Sequence, residues 1–575
     1  MKSTNVFFIR IDNPIIKYTF TLFQKLGRQK VYQFTESMQQ SPFKIYDDFG
    51  LKNQYLHFAN ANRLATTDFI KQLSINDIWL YRGLHKIFGS NDKIKDLVYL
   101  YLAEIYFSIN KEVPFFFQKN IQADVVLPKG LLIHKIIINS NLTSKVNYSF
   151  FLSFIIWLLS FGSIVLLFLK SIFILPTLKR KAKAHIAKEL VWGFDRDSIL
   201  NDSLVFDNER IKKEDIVYFN FKRQPRFQTS EIKQLVEKNN IKFVLIDFSH
   251  AAINKEYFIN ILYQFKLLFL ALRTLFHPSE YFMTPILAKA SLHTLQMYRW
   301  MGHIDVKYYF STQNHELLQT NLLNQNGVQT VLLERSDYIA HNDWDHLFPS
   351  HNILLAWNKS EASCWEHFRY YDEVYEIGCL FKYTLTNLER NDLRQKLDIP
   401  DKKKIIVFFD SGTGDSMHFN SLIFNNFVDL VIEFSRIFPH AICIVKPKRL
   451  FQWKVEKIAK KLEFSENIQV INPDQHGVEK IGCLGDIVIG MGINSAATIA
   501  MVNHIPTLYF DQTNNIFHPF FNAAEKVVFT DVKDIIHISK KYLNDPSQYL
   551  FPEEIIYFDK ENYIPKERIV ARLAL

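Results

Sequence analysis

GDIVIGMGINSAATIAMVNHIPTLYFD, residues Gly485 to Asp511, is the stretch that decides how the rest of the chain is read. Asp486-Ile487-Val488-Ile489 is a short β-branched run of the kind buried on both faces of a parallel sheet. Gly490-Met491-Gly492-Ile493-Asn494-Ser495 then predicts a tight loop, Ala496 to Asn503 a small-residue helix, and Thr507 to Phe510 a second strand ending at Asp511. Gly490 and Gly492 let the backbone turn with positive φ, and Asn494 or Ser495 can cap the helix. The first free N–H groups of that helix suit a phosphate or diphosphate. Two other readings fit the same residues. Glycine-rich turns follow strands in any α/β protein, and most of them bind nothing. The dinucleotide fingerprint also matches in part, with Ser495 where the third glycine belongs and Asp511 near the ribose-binding acid. Position argues against it, because the residues after Ser495 are too few for a full dinucleotide domain opened by this unit.

Upstream, the same rhythm recurs. Lys404 to Phe409 predicts a strand, followed by the loop Asp410 to Ser416 with Gly412 and Thr413, and then a helix around Phe427 to Phe438. The strand Ala441 to Val445, the basic knot Lys446-Pro447-Lys448-Arg449, a helix over Val455 to Leu462 and the strand Ile468 to Ile471 lead into the opening unit. Earlier still, Ile216 to Phe221, Lys242 to Phe248, Val306 to Ser311, Gln329 to Leu333 and Ile353 to Trp357 predict strands, with a capped helix over Thr229 to Asn239. Two successive doubly wound domains imply a cleft between them, onto which Lys446 opens from the end of its strand. The expected substrate-binding residues are Lys446, Gly490, Gly492, Asn494, Ser495, Asp511, Gly412 and Thr413.

Ser149 to Leu169, SFFLSFIIWLLSFGSIVLLFL, carries no charge, and as a helix it is about 31 Å long, the thickness of a hydrocarbon core. A membrane segment is predicted there. Lys170 and Lys179-Arg180-Lys181 follow it, which puts the C-terminal side in the cytosol by the positive-inside rule. A true span would send residues 1–147 outward without a signal peptide, whereas a re-entrant or interfacial helix bent near Gly162 and Ser163 would keep both flanks cytosolic. Tyr257 to Phe276 is also strongly apolar, with only Lys266 and Arg273 in it, and fits either a lipid surface or a buried interdomain helix. In the N-terminal region, Asn5 to Ile11 and Lys30 to Phe34 predict strands around a helix from Ile15 to Leu26, and Asp96 to Ile109 has helical spacing.

Composition bounds what these pieces can do. A chain of 575 residues has room for two to four domains, 48% hydrophobic content excludes general disorder, and a mean hydropathy of −0.06 excludes a polytopic membrane protein. The net charge of +9 favours acidic partners or an anionic membrane surface. No nucleic-acid signature accompanies the aromatic residues. Cys364, Cys379, Cys443 and Cys483 lack metal-ligand spacing and read as reduced core thiols, so neither a metal nor another cofactor is expected.

Three further patterns carry a resemblance. Tyr308-Tyr309-Phe310-Ser311 through Asn314, then Asn326-Gly327-Val328-Gln329-Thr330, form the first; Ile353 to Trp357 followed by Glu376-Ile377-Gly378-Cys379 form the second. Ile444-Val445-Lys446-Pro447, Gly485 to Ile489, and Ser495 to Pro506 form the third. In order and spacing, Asp215 to Asp534 resembles the two-Rossmann-domain (GT-B) glycosyltransferases and glycerophosphotransferase-like enzymes of bacterial capsule, lipopolysaccharide and teichoic-acid assembly. The chain departs from that family at Glu334-Arg335-Ser336, at Lys448 and at Ile499, where relatives often carry His-Gly, His and an acid. Glu334, His341 or His315 then stand as the candidate general base.

The resemblance implies an α/β protein with two Rossmann-like domains facing a cleft. The expected layout is an N-terminal α/β region at 1–147, a membrane segment at 148–176, an acceptor-side domain at 177–355, a donor-side domain at 356–545 and a tail at 546–575. It implies a transferase at the cytoplasmic face of the inner membrane. A sugar or polyol phosphate would pass from a nucleotide-activated donor to a lipid-linked or growing glycan acceptor, with membrane lipids as further partners and no nucleic acid. The alternative is a non-catalytic membrane-tethered scaffold of the same pathway.

Overall fold

The computed structural model describes residues 4–7, 31–33, 65–76, 78–89, 92–107, 123–128, 146–173, 175–177, 181–189, 215–221, 242–246, 250–311, 317–333, 351–356, 372–376, 384–412, 421–448, 450–462, 465–473, 476–512, 520, 526–550 and 552. Strands β1 (Thr4–Phe7) and β2 (Val31–Gln33) open the chain, and helices α1 (Trp79–Phe88) and α2 (Asp92–Phe107) follow. Strands β3 (Ala123–Pro128) and β4 (Val146–Ser149) complete a parallel sheet of order β2-β1-β3-β4. The helix expected over Ile15 to Leu26 lies outside the described residues.

The apolar stretch after β4 is helix α3 (Phe150–Ile172). Two short strands, β5 (Leu175–Thr177) and β6 (Ala182–Lys183), lead from it into β7 (Ile186–Glu189), β8 (Ile216–Phe221) and β9 (Phe243–Ile246). Then come β10 (His250–Ala252), which pairs with β5, helices α4 (Lys255–Arg273) and α5 (Thr284–His303), and β11 (Ile304–Asp305), which pairs with β6. Strand β12 (Tyr308–Ser311), helix α6 (Leu317–Gln325), and strands β13 (Gln329–Leu333), β14 (Ile353–Ala356) and β15 (Glu373–Glu376) finish a seven-stranded parallel sheet of order β15-β14-β13-β12-β7-β8-β9. The helix expected over Thr229 to Asn239 lies outside the described residues.

A second parallel sheet is built from β16 (Lys404–Phe409), helix α7 (Ser421–Ile437), β17 (Ala441–Lys446), β18 (Ile468–Val470), helix α8 (Val478–Leu484), β19 (Ile487–Met491), helix α9 (Ser495–Val502), β20 (Thr507–Phe510) and β21 (Val528–Phe529). Its order is β18-β17-β16-β19-β20-β21. Counted from its first strand, each large sheet runs 3-2-1-4-5-6, the first with a seventh strand added at the edge. The winding reverses between β7 and β12 in the first sheet and between β16 and β19 in the second. In open α/β sheets, ligands bind outside the carboxyl ends of the strands at such a reversal.

The second sheet reads as apolar runs because both of its faces are covered. Ile405, Val407 and Phe409 of β16 enter one core with Val488, Ala497, Ala500 and Tyr509, while Ile406 and Phe408 enter the other with Val431, Phe434 and Ile489. Successive side chains point to opposite faces, so a strand buried on both shows no alternation. Cys443 and Cys483 are buried thiols, and burial pushes them up to about 12 and about 11, which leaves them uncharged core residues. Cys364 and Cys379 lie outside the described residues.

The first sheet turns one face to a helical layer. Ala187, Val217, Phe219 and Tyr309 share a core with residues of α1, α2, α4, α5 and α6. Helix α3 also contributes to that core through Ile164. Two stretches, Ser153–Ile172 and Lys255–Phe276, are long and apolar enough to cross a membrane by length and composition.

Candidate functional site

The reversal between β16 and β19 brings two loops side by side. Phe409, the last residue of β16, pairs with Gly490, so Asp410-Ser411-Gly412 and Gly492-Ile493-Asn494 leave adjacent strand ends in the same direction. The Ser411 hydroxyl donates to the Met491 carbonyl at 2.8 Å and ties the two loops together.

The second loop is shorter than its sequence suggests. Strand β19 runs through Met491, so Gly490 is a strand residue and not part of the turn, which corrects the expectation of two turning glycines. Of the two glycines, Gly492 alone has positive φ, at 62°. Gly490 is required for a different reason: a Cβ there would sit 2.8 Å from the Asn494 Nδ2 and 2.9 Å from the Tyr509 ring. Helix α9 packs that closely onto the strand. The Gly492 N–H donates to the Phe510 carbonyl at 2.8 Å, so this buried glycine supplies a left-handed turn rather than a free amide.

Asn494 is the N-cap of α9. Its Oδ1 accepts from the Ala497 N–H at 3.0 Å, and its Nδ2 donates to the Phe409 carbonyl at 3.4 Å and the Gly492 carbonyl at 3.3 Å. One side chain thus joins the end of β16, the loop and the helix. With the Ala497 amide held by Asn494 Oδ1 and the Thr498 amide by the Asn494 carbonyl, the amides of Ser495 and Ala496 are the first-turn donors without a helical acceptor. Ser495 is the first helical residue and is half-buried.

The first loop is anchored by Asp410, a buried residue whose carboxylate accepts from the Lys448 N–H at 2.6 Å and from the Trp453 indole N–H. Burial pushes this carboxyl above the ordinary range, against the pull of those donors and of the Gly412 amide. Gly412 turns with φ 67°. Asp410 and Ser411 are the site residues that sequence reading passed over. The signal was present in Asp410-Ser411-Gly412 directly after a strand, but nothing local says that this strand neighbours β19.

Lys446 ends β17, one strand from the reversal, and its buried side chain donates to the Pro473 carbonyl at 2.6 Å. Asp511 follows β20 and is buried, with its N–H on the Phe529 carbonyl at 2.9 Å. The candidate donor-side residues Gly412, Gly492, Asn494 and Ser495 therefore gather at the reversal, while Lys446 and Asp511 stand at the ends of the strands flanking it. Thr413, Arg449 and all three candidate bases, Glu334, His341 and His315, lie outside the described residues. Among the described residues no His, Cys, Asp and Glu group has the geometry of a metal site.

Residues 276–538 match the family described as "Polysaccharide biosynthesis PFTS motif protein". The matched region begins after α4, takes in α5, α6 and strands β11 to β15, and runs through the whole second sheet. No curated protein matches the sequence. Among solved structures, S. aureus MnaA with UDP is similar at 12% identity, covering 67% of this chain and 95% of that one with a TM-score of 0.42. The UDP-GlcNAc 2-epimerase of Neisseria meningitidis bound to UDP-GlcNAc is similar at 13% identity, covering 68% and 99% with a TM-score of 0.41. The wall teichoic acid polymerase TagF soaked with CDPG is similar at 11% identity, covering 73% and 97% with a TM-score of 0.41.

Proposed function

We propose that the protein is a membrane-associated transferase that passes a sugar or polyol phosphate from a nucleotide-activated donor to a lipid-linked or growing surface glycan. The acceptor side is the domain of the first large sheet, the donor side that of the second, and both work at the cytoplasmic face of the inner membrane. The observation that carries this reading is the pair of loops at the β16–β19 reversal, where the Ser411–Met491 bond, the positive-φ Gly412 and Gly492, and the start of α9 converge. A diphosphate seated there meets the Ser495 and Ala496 amides and the Ser495 hydroxyl. Glu334, His341 or His315 then takes the proton from the acceptor hydroxyl.

Ser495→Ala is expected to weaken UDP or CDP binding by about 1 kcal/mol, the worth of one hydroxyl hydrogen bond, with the fold intact because Asn494 holds the cap. Lys446→Ala is expected to weaken it further if the ammonium also reaches a donor phosphate. Isothermal calorimetry of both variants tests the site. Unchanged affinity in Lys446→Ala removes that residue from it, and unchanged affinity in both moves the donor elsewhere.

One observation favours the scaffold reading. Ile499, at the helix position where related enzymes often carry an acid, is buried in the core and offers the crevice no carboxylate. Transfer from radiolabelled nucleotide donors with membranes present separates the two, since a scaffold yields no product at any enzyme concentration.

A further inference from the structure

Helices α3 and α4 bury polar side chains among apolar ones and expose a row of large apolar residues. On α3 the buried side carries Ser153, Ser160 and Ser171, while the exposed side carries Phe154, Leu158, Leu166 and Leu169. The Ser160 and Ser171 hydroxyls donate back to the Ile156 and Leu167 carbonyls at 2.8 and 2.9 Å, so the buried polar groups are satisfied without water. On α4, Gln264 is 0% exposed and exchanges hydrogen bonds with Ser291, whereas Phe258 and Phe265 are 61% and 56% exposed, and Leu262 and Phe269 extend the same side. The Phe168 and Phe265 rings lie 6.5 Å apart between centroids, so the two apolar sides adjoin as one surface. A face of this size and composition is stable only where its surroundings are less polar than water.

The flanks of α3 lie on one side of that face. Ahead of α3, the Trp79 and Leu80 amides of α1 donate to the Glu280 carboxylate at 2.9 and 2.8 Å, and the Tyr101 hydroxyl of α2 bonds to the Phe282 carbonyl at 2.5 Å. These are residues from before α3 held by residues from after it, in the core shared with the first large sheet. Glu280 and Phe282 follow both α3 and α4, but the Gln325 side chain of α6 also donates to the Phe88 carbonyl of α1. Helix α6 follows β12, which pairs with β7 just beyond α3, so a crossing by α3 would part them. Helix α3 instead runs antiparallel along α4: the Trp157 indole donates to Thr274 at 2.7 Å near one end, and the Tyr257 hydroxyl to the Ile172 carbonyl at 3.3 Å at the other.

Charge decides what covers the face. Lys170, Lys255, Lys266 and Arg273 are exposed on these two helices. Their only acid is Glu256, which is paired with Lys181 at 2.7 Å. The Arg273 guanidinium lies between the Trp79 ring at 5.4 Å and the Phe269 ring at 5.9 Å, at the edge of the apolar surface. A second copy docked on this face would bring like charge against like. Anionic headgroups around buried acyl chains meet both the cations and the phenylalanines.

We propose that α3 and α4 form a monotopic docking face that lies in the plane of an anionic bilayer, with the chain before α3 and the chain after it on the same side of the membrane. This deepens the membrane association in the function proposed above and rests on that part alone; no nucleotide takes part, so the face and the donor site fail or stand separately.

Flotation of the full-length protein with vesicles of phosphatidylcholine, with or without 30% phosphatidylglycerol, tests it in the absence of nucleotide. The wild type is expected to float with the mixed vesicles. The double substitution Lys266→Glu and Arg273→Glu should lower the bound fraction at least tenfold on mixed vesicles and leave binding to pure phosphatidylcholine unchanged. Phe265→Glu with Phe269→Glu should abolish flotation on both, with an unchanged circular dichroism melt because both side chains are exposed. Epitope tags at the two ends should be equally protected from protease added to intact spheroplasts. A wild type that stays unbound, equal binding to both vesicles, cleavage of the N-terminal tag alone, or a soluble dimer broken by the Phe pair would each overturn the proposal.

Discussion

Gly492→Val is expected to abolish detectable UDP and CDP binding and to lower stability by about 1–3 kcal/mol, the cost of holding a non-glycine residue in a sparsely populated backbone region. Gly492 sits at φ 62° with its N–H bound to the Phe510 carbonyl, so the turn cannot relax without breaking the end of the β19–β20 ladder. A β-branched side chain is strained there and, in a buried turn, also crowds the loop that leads into α9. Gly492→Ala separates the two effects. It carries much of the backbone strain and little of the bulk, so its loss of stability should approach that of valine while its loss of nucleotide affinity is smaller. Thermal melts and calorimetry on the folded fraction measure the pair, and nucleotide affinity equal to wild type in folded Gly492→Val would remove this loop from the donor site.

The second large effect concerns the neighbouring loop. Asp410→Ala leaves the Trp453 indole N–H and the Lys448 amide without their acceptor in a buried setting, at about 1–3 kcal/mol for each donor left unsatisfied. Relief of the carboxylate's own burial offsets part of this, so a net loss of about 2–4 kcal/mol is expected. Asp410→Asn retains one acceptor oxygen and should lie between alanine and wild type. The burial that raises the Asp410 carboxyl in the folded chain also gives the wild type a pH signature. A folded pKa above the unfolded one means that the native state holds its proton more tightly. The contribution from Asp410 is therefore full at low pH and is lost as pH rises from the ordinary carboxylate range through the raised value. Urea melts from acid to neutral pH measure this, and the slope should disappear in Asp410→Ala. An unchanged pH dependence in that variant would mean that another group carries it.

Much of the second domain was legible because its information is local. A run such as Ile405 to Phe409 declares a strand covered on both faces, Pro506 and the small residues of α9 mark the end of a helix, and β20 falls at Thr507–Phe510 as the sequence predicts. The clustering of Gly492, Asn494 and Ser495 on one turn was likewise readable, since they are consecutive or nearly so. The resemblance to polysaccharide-assembly proteins rested on motif order and agrees with the match over residues 276–538.

What the sequence by itself determined, then, was which segments are strands and helices and which apolar stretches need cover. The tertiary structure alone decided which segments are neighbours. Strand β16 lies beside β19, about eighty residues further on, and only that pairing makes Ser411 and Asp410 part of the site, while the packing of α9 and β20 turns Gly490 from a hinge into a packing contact. The same holds for α3, whose apolar run reads alike whether lipid surrounds it or touches one side. The bond from Gln325 of α6 to the Phe88 carbonyl of α1, with β12 paired to β7, puts both of its flanks on one side. Periodicity records how much of a segment is buried. The partner that buries it is chosen by long-range packing, which leaves no local pattern in the chain.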